Sequence, residues 1–308
     1  MCHPSGNLSE IERAACNRLT TFDYCSAEPC IIWETSRLAA VYKPPRLPTA
    51  PLHPEERDTL VYWFLHSQPE GQLNMPPYKQ AALVQGKKSI EAGLLHRLDT
   101  DTRGLVLFAK DQTTYDFLSI RQKSGQIVKT YYAFVKPCLP HVSEVSGKAD
   151  IVEKDALTQI AAHLPYSVVS QFRNFGPGAK KVAPIFPDSR RYKKEGRRYT
   201  TVIEALDIKA PLAGTGTKQP LIGVRCRLVR GYRHQVRAHL ASLGLPIAGD
   251  PLYSQHETCD TPLSPHMPAF SRIGYGLQLY AFSLSFPDPE NPHRNILVAL
   301  PPPDKMNR

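Results

Sequence analysis

Residues 94–110 read LLHRLDTDTRGLVLFAK, and the rest of the chain is organised around them. Both ends are Leu- and Val-rich runs of the kind that form buried strand, whereas the middle packs His96, Arg97, Asp99, Asp101 and Arg103 into eight residues. Charged groups of both signs between two apolar segments either open on a cleft or pair with one another, because burying them unpaired costs several kcal/mol. The pattern predicts strand, polar turn and strand, and marks the turn as a candidate site.

Working upstream, CIIWETSRLAAVY (Cys30–Tyr42) reads as two strands about the turn Glu34–Arg37, and Lys43-Pro44-Pro45-Arg46-Leu47-Pro48 then leaves the sheet as an extended loop. Thr59–His66 reads as a helix with Leu60, Trp63 and Phe64 on its buried side. Residues 1–28 form an N-terminal arm with one short helix, Leu8–Leu19, capped by Asn7. Downstream, Thr113–Lys123 is a helix stopped by Gly125, and Val128–Val135 (VKTYYAFV) is a strand with Lys129, Tyr131 and Ala133 on one face. Residues 137–199 show the least regular pattern. Their second half, 171–199, carries nine basic residues against two acidic ones, with Phe172, Phe175, Phe186, Tyr192 and Tyr199 interleaved. A charge run is usually a solvated face. This density, with aromatics between the charges, fits a phosphate-contacting surface made by Lys180, Lys181, Arg190, Arg191, Lys193 and Lys194. Leu221–Val229 alternates as a strand, Arg233–Leu243 is a helix with the apolar stripe Val236, Leu240 and Leu243, and Leu277–Phe286 with Asn295–Leu300 closes the chain as a hairpin. Arg237 sits one position off the apolar stripe, against the core, and needs an acidic partner there.

The 308 residues, 42% hydrophobic, suffice for a large core, and the formal charge of +10 favours an anionic partner, nucleic acid ahead of a membrane surface. The N-terminus has neither the basic nor the apolar region of a signal peptide, so the expected location is the cytoplasm. Seven scattered cysteines do not form a disulfide framework.

Three stretches stand together: His96–Asp99, Lys129–Tyr131, and Gly231–His239 with Arg237. They resemble the RluA-type family of pseudouridine synthases, whose ordered motifs are a lysine-proline pair, HRLD before a strand, K-x-Y-x-A, G-R-T-H-Q-I-R-x-H-L and G-D-x-x-Y. Here these read Lys43-Pro44, His96–Asp99 with Thr102–Leu105, Lys129–Ala133, Gly231–Leu240 and Gly249–Tyr253, in order across roughly residues 31–300. The chain departs from the pattern at Arg103, where serine is usual, at Tyr232-Arg233 in place of arginine-threonine, at Tyr280 in place of a frequent histidine, and in some twenty extra residues around the basic run.

The resemblance implies one α+β catalytic domain over residues 29–303, a mixed and mostly antiparallel sheet with a central active-site cleft flanked by helices and loops. It implies isomerisation of uridine to pseudouridine in structured ribosomal or transfer RNA, with Asp99 as the catalytic carboxylate, Arg237 as its counter-charge and Tyr131 against the uracil. His96, Arg97, Lys129 and Arg233 are further candidates for RNA contact, although a purely structural hydrogen bond is an equal reading of His96. The base leaves the RNA stack at a cost of a few kcal/mol. His234 and His239, five apart, do not share a helical face as metal ligands would, and neither metal nor organic cofactor is expected. A monomer is expected. About thirty residues before the first strand are too few for the small S4-type RNA-binding domain of many relatives. Two other readings stand beside this one: a nucleosidase or glycoside hydrolase using Asp99 and Asp101 as paired carboxylates, and an RNA-binding assembly factor without catalysis.

Overall fold

The computed structural model describes residues 22–24, 26–66, 84–136, 157–209, 221–254 and 276–303; the helix expected over Leu8–Leu19 lies outside them. In chain order the strands are β1 (Cys30–Glu34), β2 (Leu38–Lys43), β3 (Arg103–Ala109), β4 (Val128–Val135), β5 (Tyr166–Phe175), β6 (Lys181–Ile185), β7 (Tyr199–Lys209), β8 (Leu221–Leu228), β9 (Leu279–Pro287) and β10 (Asn295–Ala299). The helices used below are α1 (Leu60–His66), α2 (Gln112–Lys123) and α3 (Gln235–Ser242). The chain divides into two compact units, Met1–Lys129 with Phe282–Arg308, and Thr130–Ala281.

In the first unit β1, β2 and β3 form an antiparallel meander in sequence register, Lys43 standing opposite Gly104 and Leu38 opposite Ala109. Every residue of β2 and β3 is buried. That explains their continuous apolar sequence, since a strand covered on both faces has no need to alternate. Phe64 of α1 stacks on Phe108 of β3 at 4.2 Å, and burying a ring of this kind contributes about 1.5–3 kcal/mol. α1 buries Leu60, Val61 and Phe64. Trp63, expected on that face, is half-exposed, because the helix turns its Val61 side inward. α2 opens on Asp111, whose carboxylate accepts from the Thr114 amide at 2.8 Å, and ends where Gly125 takes φ 79°, as the sequence predicts. The closing hairpin pairs β10 with β9 antiparallel from Asn295 opposite Pro287 to Ala299 opposite Ser283.

The end of the arm is tied into this unit. The Tyr24 hydroxyl donates to the Pro301 carbonyl, and the Tyr42 hydroxyl donates to the Tyr24 carbonyl, each at 2.8 Å.

In the second unit the strand order is β4-β8-β7-β5-β6, with β7–β8, β5–β7 and β5–β6 all antiparallel. β8 alternates as expected: Val224, Cys226 and Leu228 are buried while Arg225 and Arg227 reach Glu204 at 3.6 and 2.6 Å. β5 and β6 replace the irregular stretch expected before Tyr199. Their sequence hides them, since β5 buries Ser170 and Gln171 while exposing Val169, and Pro184 interrupts β6. A proline is tolerated there because β6 is the sheet edge. The α+β class and the largely antiparallel sheet agree with expectation.

Candidate active site

The organising stretch folds as a strand preceded by an extended arm, not as two strands. Leu94 makes a single bridge to Phe108, and the Leu95 amide donates to Leu107 at 3.0 Å. The ladder then stops, because the Leu107 amide donates to Nε2 of the His96 ring at 3.3 Å instead of to backbone. His96 is 7% exposed, its Nδ1 has no partner among the described residues, and burial together with the nearby Lys129 charge holds its pKa well below the usual histidine value. A neutral, buried ring spent on its own strand is a prop for the turn. Of the two readings of His96, the geometry favours the structural one.

Asp99 follows, half-exposed, at the start of a turn closed by the Thr102 amide donating to its carbonyl at 3.0 Å. The residues on both sides of it are pinned. Thr49 donates its hydroxyl to the Leu98 carbonyl at 2.7 Å and accepts from the Leu98 amide at 3.1 Å. Lys43 donates to the Thr100 carbonyl at 2.8 Å, and the same ammonium donates to Pro44 and Leu47 at 2.7 and 2.8 Å. Three carbonyl dipoles thus hold a cation that has no exposed surface. Burial lowers the pKa of Lys43 to about 7, against the opposing pull of Asp101 and Asp99. The backbone on both sides of Asp99 is thereby fixed, which holds the start of its side chain in one place.

Arg97, between His96 and Asp99, reaches solvent with half of its side chain exposed and touches buried Glu91 at 3.3 Å. Arg103 is 2% exposed and its Nη1 reaches the Tyr24 carbonyl at 3.5 Å, so the arginine found in place of serine meets the tied-down end of the arm. Lys129 is 5% exposed, with its pKa lowered to about 8 by burial; it is placed as a core cation of the first unit.

In the second unit Tyr131 is 8% exposed on β4, on the same alternating face as buried Ala133. Arg237 lies on α3 with 3% exposure, and Asp250 takes its Nε and Nη2 in a bidentate pair, both at 2.8 Å. Asp250 has no exposed side-chain surface, and it also accepts from the Leu252 and Tyr253 amides. Gly249 before it takes φ 70°, where a Cβ would meet the Gly276 carbonyl, so the turn that aims Asp250 requires glycine. The buried acidic partner that Arg237 needs within its own unit is therefore Asp250, which sequence reading quoted inside Gly249–Tyr253 without giving it a role. In that reading Lys43 appeared only as half of the lysine-proline pair, and Thr49 was not singled out. Their signal was position: one precedes two prolines and the other follows Pro48 in a proline-rich loop.

Arg233 also has work inside the fold. Its Nη2 donates to Asn174 Oδ1 and to the Lys181 carbonyl, both at 3.2 Å, as well as to the Ala179 carbonyl. It latches the β5–β6 turn to the start of α3. Tyr232 stacks on Phe172 at 4.9 Å, and the Tyr280 hydroxyl donates to Gln278 at 2.6 Å, so each departure from the family pattern has a partner within its own unit. His239 is fully buried between the Ser170 and Thr201 hydroxyls at 2.8 and 2.9 Å, and burial lowers its pKa to about 4. Lys180, Arg190, Arg191, Lys193 and Lys194 are exposed, and Lys181 is half-exposed.

Among known proteins, residues 37–242 match the model of the RNA pseudouridylate synthase family. The chain is 28% identical over 228 residues to ribosomal large subunit pseudouridine synthase D of Nitrosomonas europaea, covering 73% of this chain and 49% of that protein. It is 29% identical over 175 residues to the mitochondrial tRNA pseudouridine(32) synthase of Saccharomyces cerevisiae, covering 57% of this chain and 30% of that one. It spans about half the length of the first relatives it matches. In structure it resembles human RNA pseudouridylate synthase domain containing 1, with a TM-score of 0.55 at 15% identity over 90% of this chain and 84% of that one, a likeness of fold. Among the described residues no helix is long and apolar enough to cross a membrane. With two thirds of its length inside the family model and the ordered motifs in place, the chain belongs to the RNA pseudouridylate synthase family, in its RluA-type branch.

Proposed function

We propose that the protein isomerises uridine to pseudouridine in structured ribosomal or transfer RNA, with Asp99 as the catalytic carboxylate. The observation that carries this reading is the Asp99 turn, held on one side by Thr49 and on the other by Lys43, in a chain of this family. The N1–C1′ bond of uridine breaks, the base turns, C5 bonds to C1′, C5 loses its proton and N1 gains one. No water enters and no electron is transferred, so a single ionised carboxylate is sufficient to serve as nucleophile or base. Tyr131 presents a planar ring to the uracil during the turn and assists loss of the C5 proton. Arg237 is the counter-charge that the family's motif assigns, and Asp250 fixes the plane of its guanidinium through Nε and Nη2. Arg97, exposed beside Asp99, takes phosphate or the space the base vacates.

The test is turnover on ribosomal and transfer RNA transcripts, reading pseudouridine formed and free uracil released. Asp99→Asn should lose at least a hundredfold in rate while its RNA affinity stays near that of the parent, because one carboxylate adds little among many phosphate contacts. Substantial turnover by Asp99→Asn would refute the mechanism, and free uracil as the main product would replace isomerisation with hydrolysis.

A further inference from the structure

The β5–β6 hairpin carries a feature that isomerisation does not use. Phe175, the last residue of β5, is 48% exposed. Its cross-strand partner is Lys181, and the Arg173 guanidinium lies 5.0 Å from its ring centroid. Residues two apart, and residues directly opposite, share one face of a sheet. Phe175, Arg173 and Lys181 therefore stand together on one face, with small Ala183 opposite Arg173. A phenylalanine left in water among cations serves no core.

The turn that presents it is rigid. Gly176, Gly178 and Ala179 all take positive φ, Arg233 binds both sides of the turn, at Asn174 and at Lys181, and the Tyr253 hydroxyl accepts from the Val182 amide at 2.8 Å and donates to the Val182 carbonyl at 3.2 Å. At the other end of the same face, buried Gln171 clamps the following loop: its amide donates to the Lys193 carbonyl, and the Lys193 amide donates back to it at 3.1 Å. That loop exposes Arg190, Arg191, Lys193, Lys194, Arg197 and Arg198. Like charges repel and would spread a free loop, so a specific clamp on this segment implies that its shape is needed. Gln171 and Phe175 are four residue steps apart along the strand, about 13 Å, which corresponds to about four stacked nucleotides.

Building on the proposed action on RNA, we propose that this face is a docking strip for an unpaired stretch of the substrate. One exposed base stacks on Phe175 between Arg173 and Lys181, and the Gln171-clamped loop takes backbone phosphates several nucleotides away. The chemistry that fits is single-stranded RNA: a π-face accepts any base, and cations accept the backbone.

Binding of the full chain to an unstructured twelve-nucleotide RNA and to a blunt-ended, fully paired RNA duplex tests this. Phe175→Ala should weaken the unstructured RNA roughly 5- to 100-fold, change the duplex less than about twofold, and leave the salt dependence intact, while Phe175→Trp keeps parental affinity. Replacing Arg190, Arg191, Lys193 and Lys194 by alanine should flatten the slope of log affinity against log salt by about 0.7 per lost contact. Parental affinity of Phe175→Ala for both RNAs, or a parental slope in the four-alanine variant, overturns the strip. Its failure is separable from failure of the enzymatic reading: a chain that makes pseudouridine normally with Phe175→Ala binding unchanged lacks only the strip. A chain that binds as described yet makes no pseudouridine lacks only the activity.

Discussion

Two buried cations, one in each unit, are held by opposite means. Lys43 in the first unit has no exposed surface and is surrounded by three neutral carbonyls, so its charge is opposed by burial and its pKa falls to about 7. Arg237 in the second is as deeply buried but faces a carboxylate in a two-point fork. A guanidinium is never deprotonated in proteins. The difference teaches what each position asks for. At Lys43 the requirement is three hydrogen bonds gathered from one point, to hold the loops at Leu47 and Thr100. At Arg237 the requirement is a permanent charge in a fixed plane.

The largest effect that would break this contrast lies at Asp250. Removing one partner of a buried pair leaves the other charge uncompensated, so Asp250→Asn should cost about 3–5 kcal/mol of stability, measured by urea unfolding, and should depress turnover with it. Arg237→Lys keeps charge but loses the fork, and it should stay folded yet remain severely impaired. Equal stability of Asp250→Asn and the parent would show that the pair is not the anchor its geometry indicates.

Lys43 comes next. Lys43→Met leaves three inward carbonyls without their donor and should cost about 2–3 kcal/mol near neutrality. The pH dependence sharpens the case. The folded pKa is about 7 and the unfolded one about 10.5, so between these values the unfolded chain binds the extra proton. Stability therefore rises with pH across that window, by at most about 1.4 kcal/mol per unit from this one group. Below pH 7 both states are protonated and the full burden of the charge is present. The methionine variant should lack this component of the rise, and identical pH profiles from 7 to 10 would contradict a titrating Lys43.

β1, β2 and β3 were legible because they are apolar and bounded by turn residues, and α2 because its cap and its glycine stop are local signals; the strand expected before Asp99 was not, because the His96 ring takes the Leu107 amide and ends the ladder. The hairpin of β5 and β6 was not. Ser170 and Gln171 are buried there for reasons found outside the strand, one bonding to His239 and the other to the basic loop, so no alternation betrays them. The motif around Arg237 gave the residue but not its carboxylate within the unit, since Asp250 is thirteen positions away and only the turn at Gly249 brings it round. Lys43 was read only as the lysine of the lysine-proline pair. Its burial follows from carbonyls contributed by Leu47 and Thr100, which a sequence does not display.

Arg97 marks the other end of the scale and gives the smallest expected change. It too pairs with a buried carboxylate, Glu91, but by one contact at 3.3 Å and with half its side chain in water. Solvent screens such a pair, which is worth roughly 0–1 kcal/mol, so Arg97→Ala should lower stability by less than about 1 kcal/mol. If Arg97 takes phosphate or fills the space left by the departing base, the same variant should lose RNA affinity or turnover well beyond that small structural effect. Measuring unfolding and turnover on one preparation separates the two. A loss of stability as large as that of Asp250→Asn would place Arg97 among the anchoring cations, and parental turnover would remove it from the proposed site.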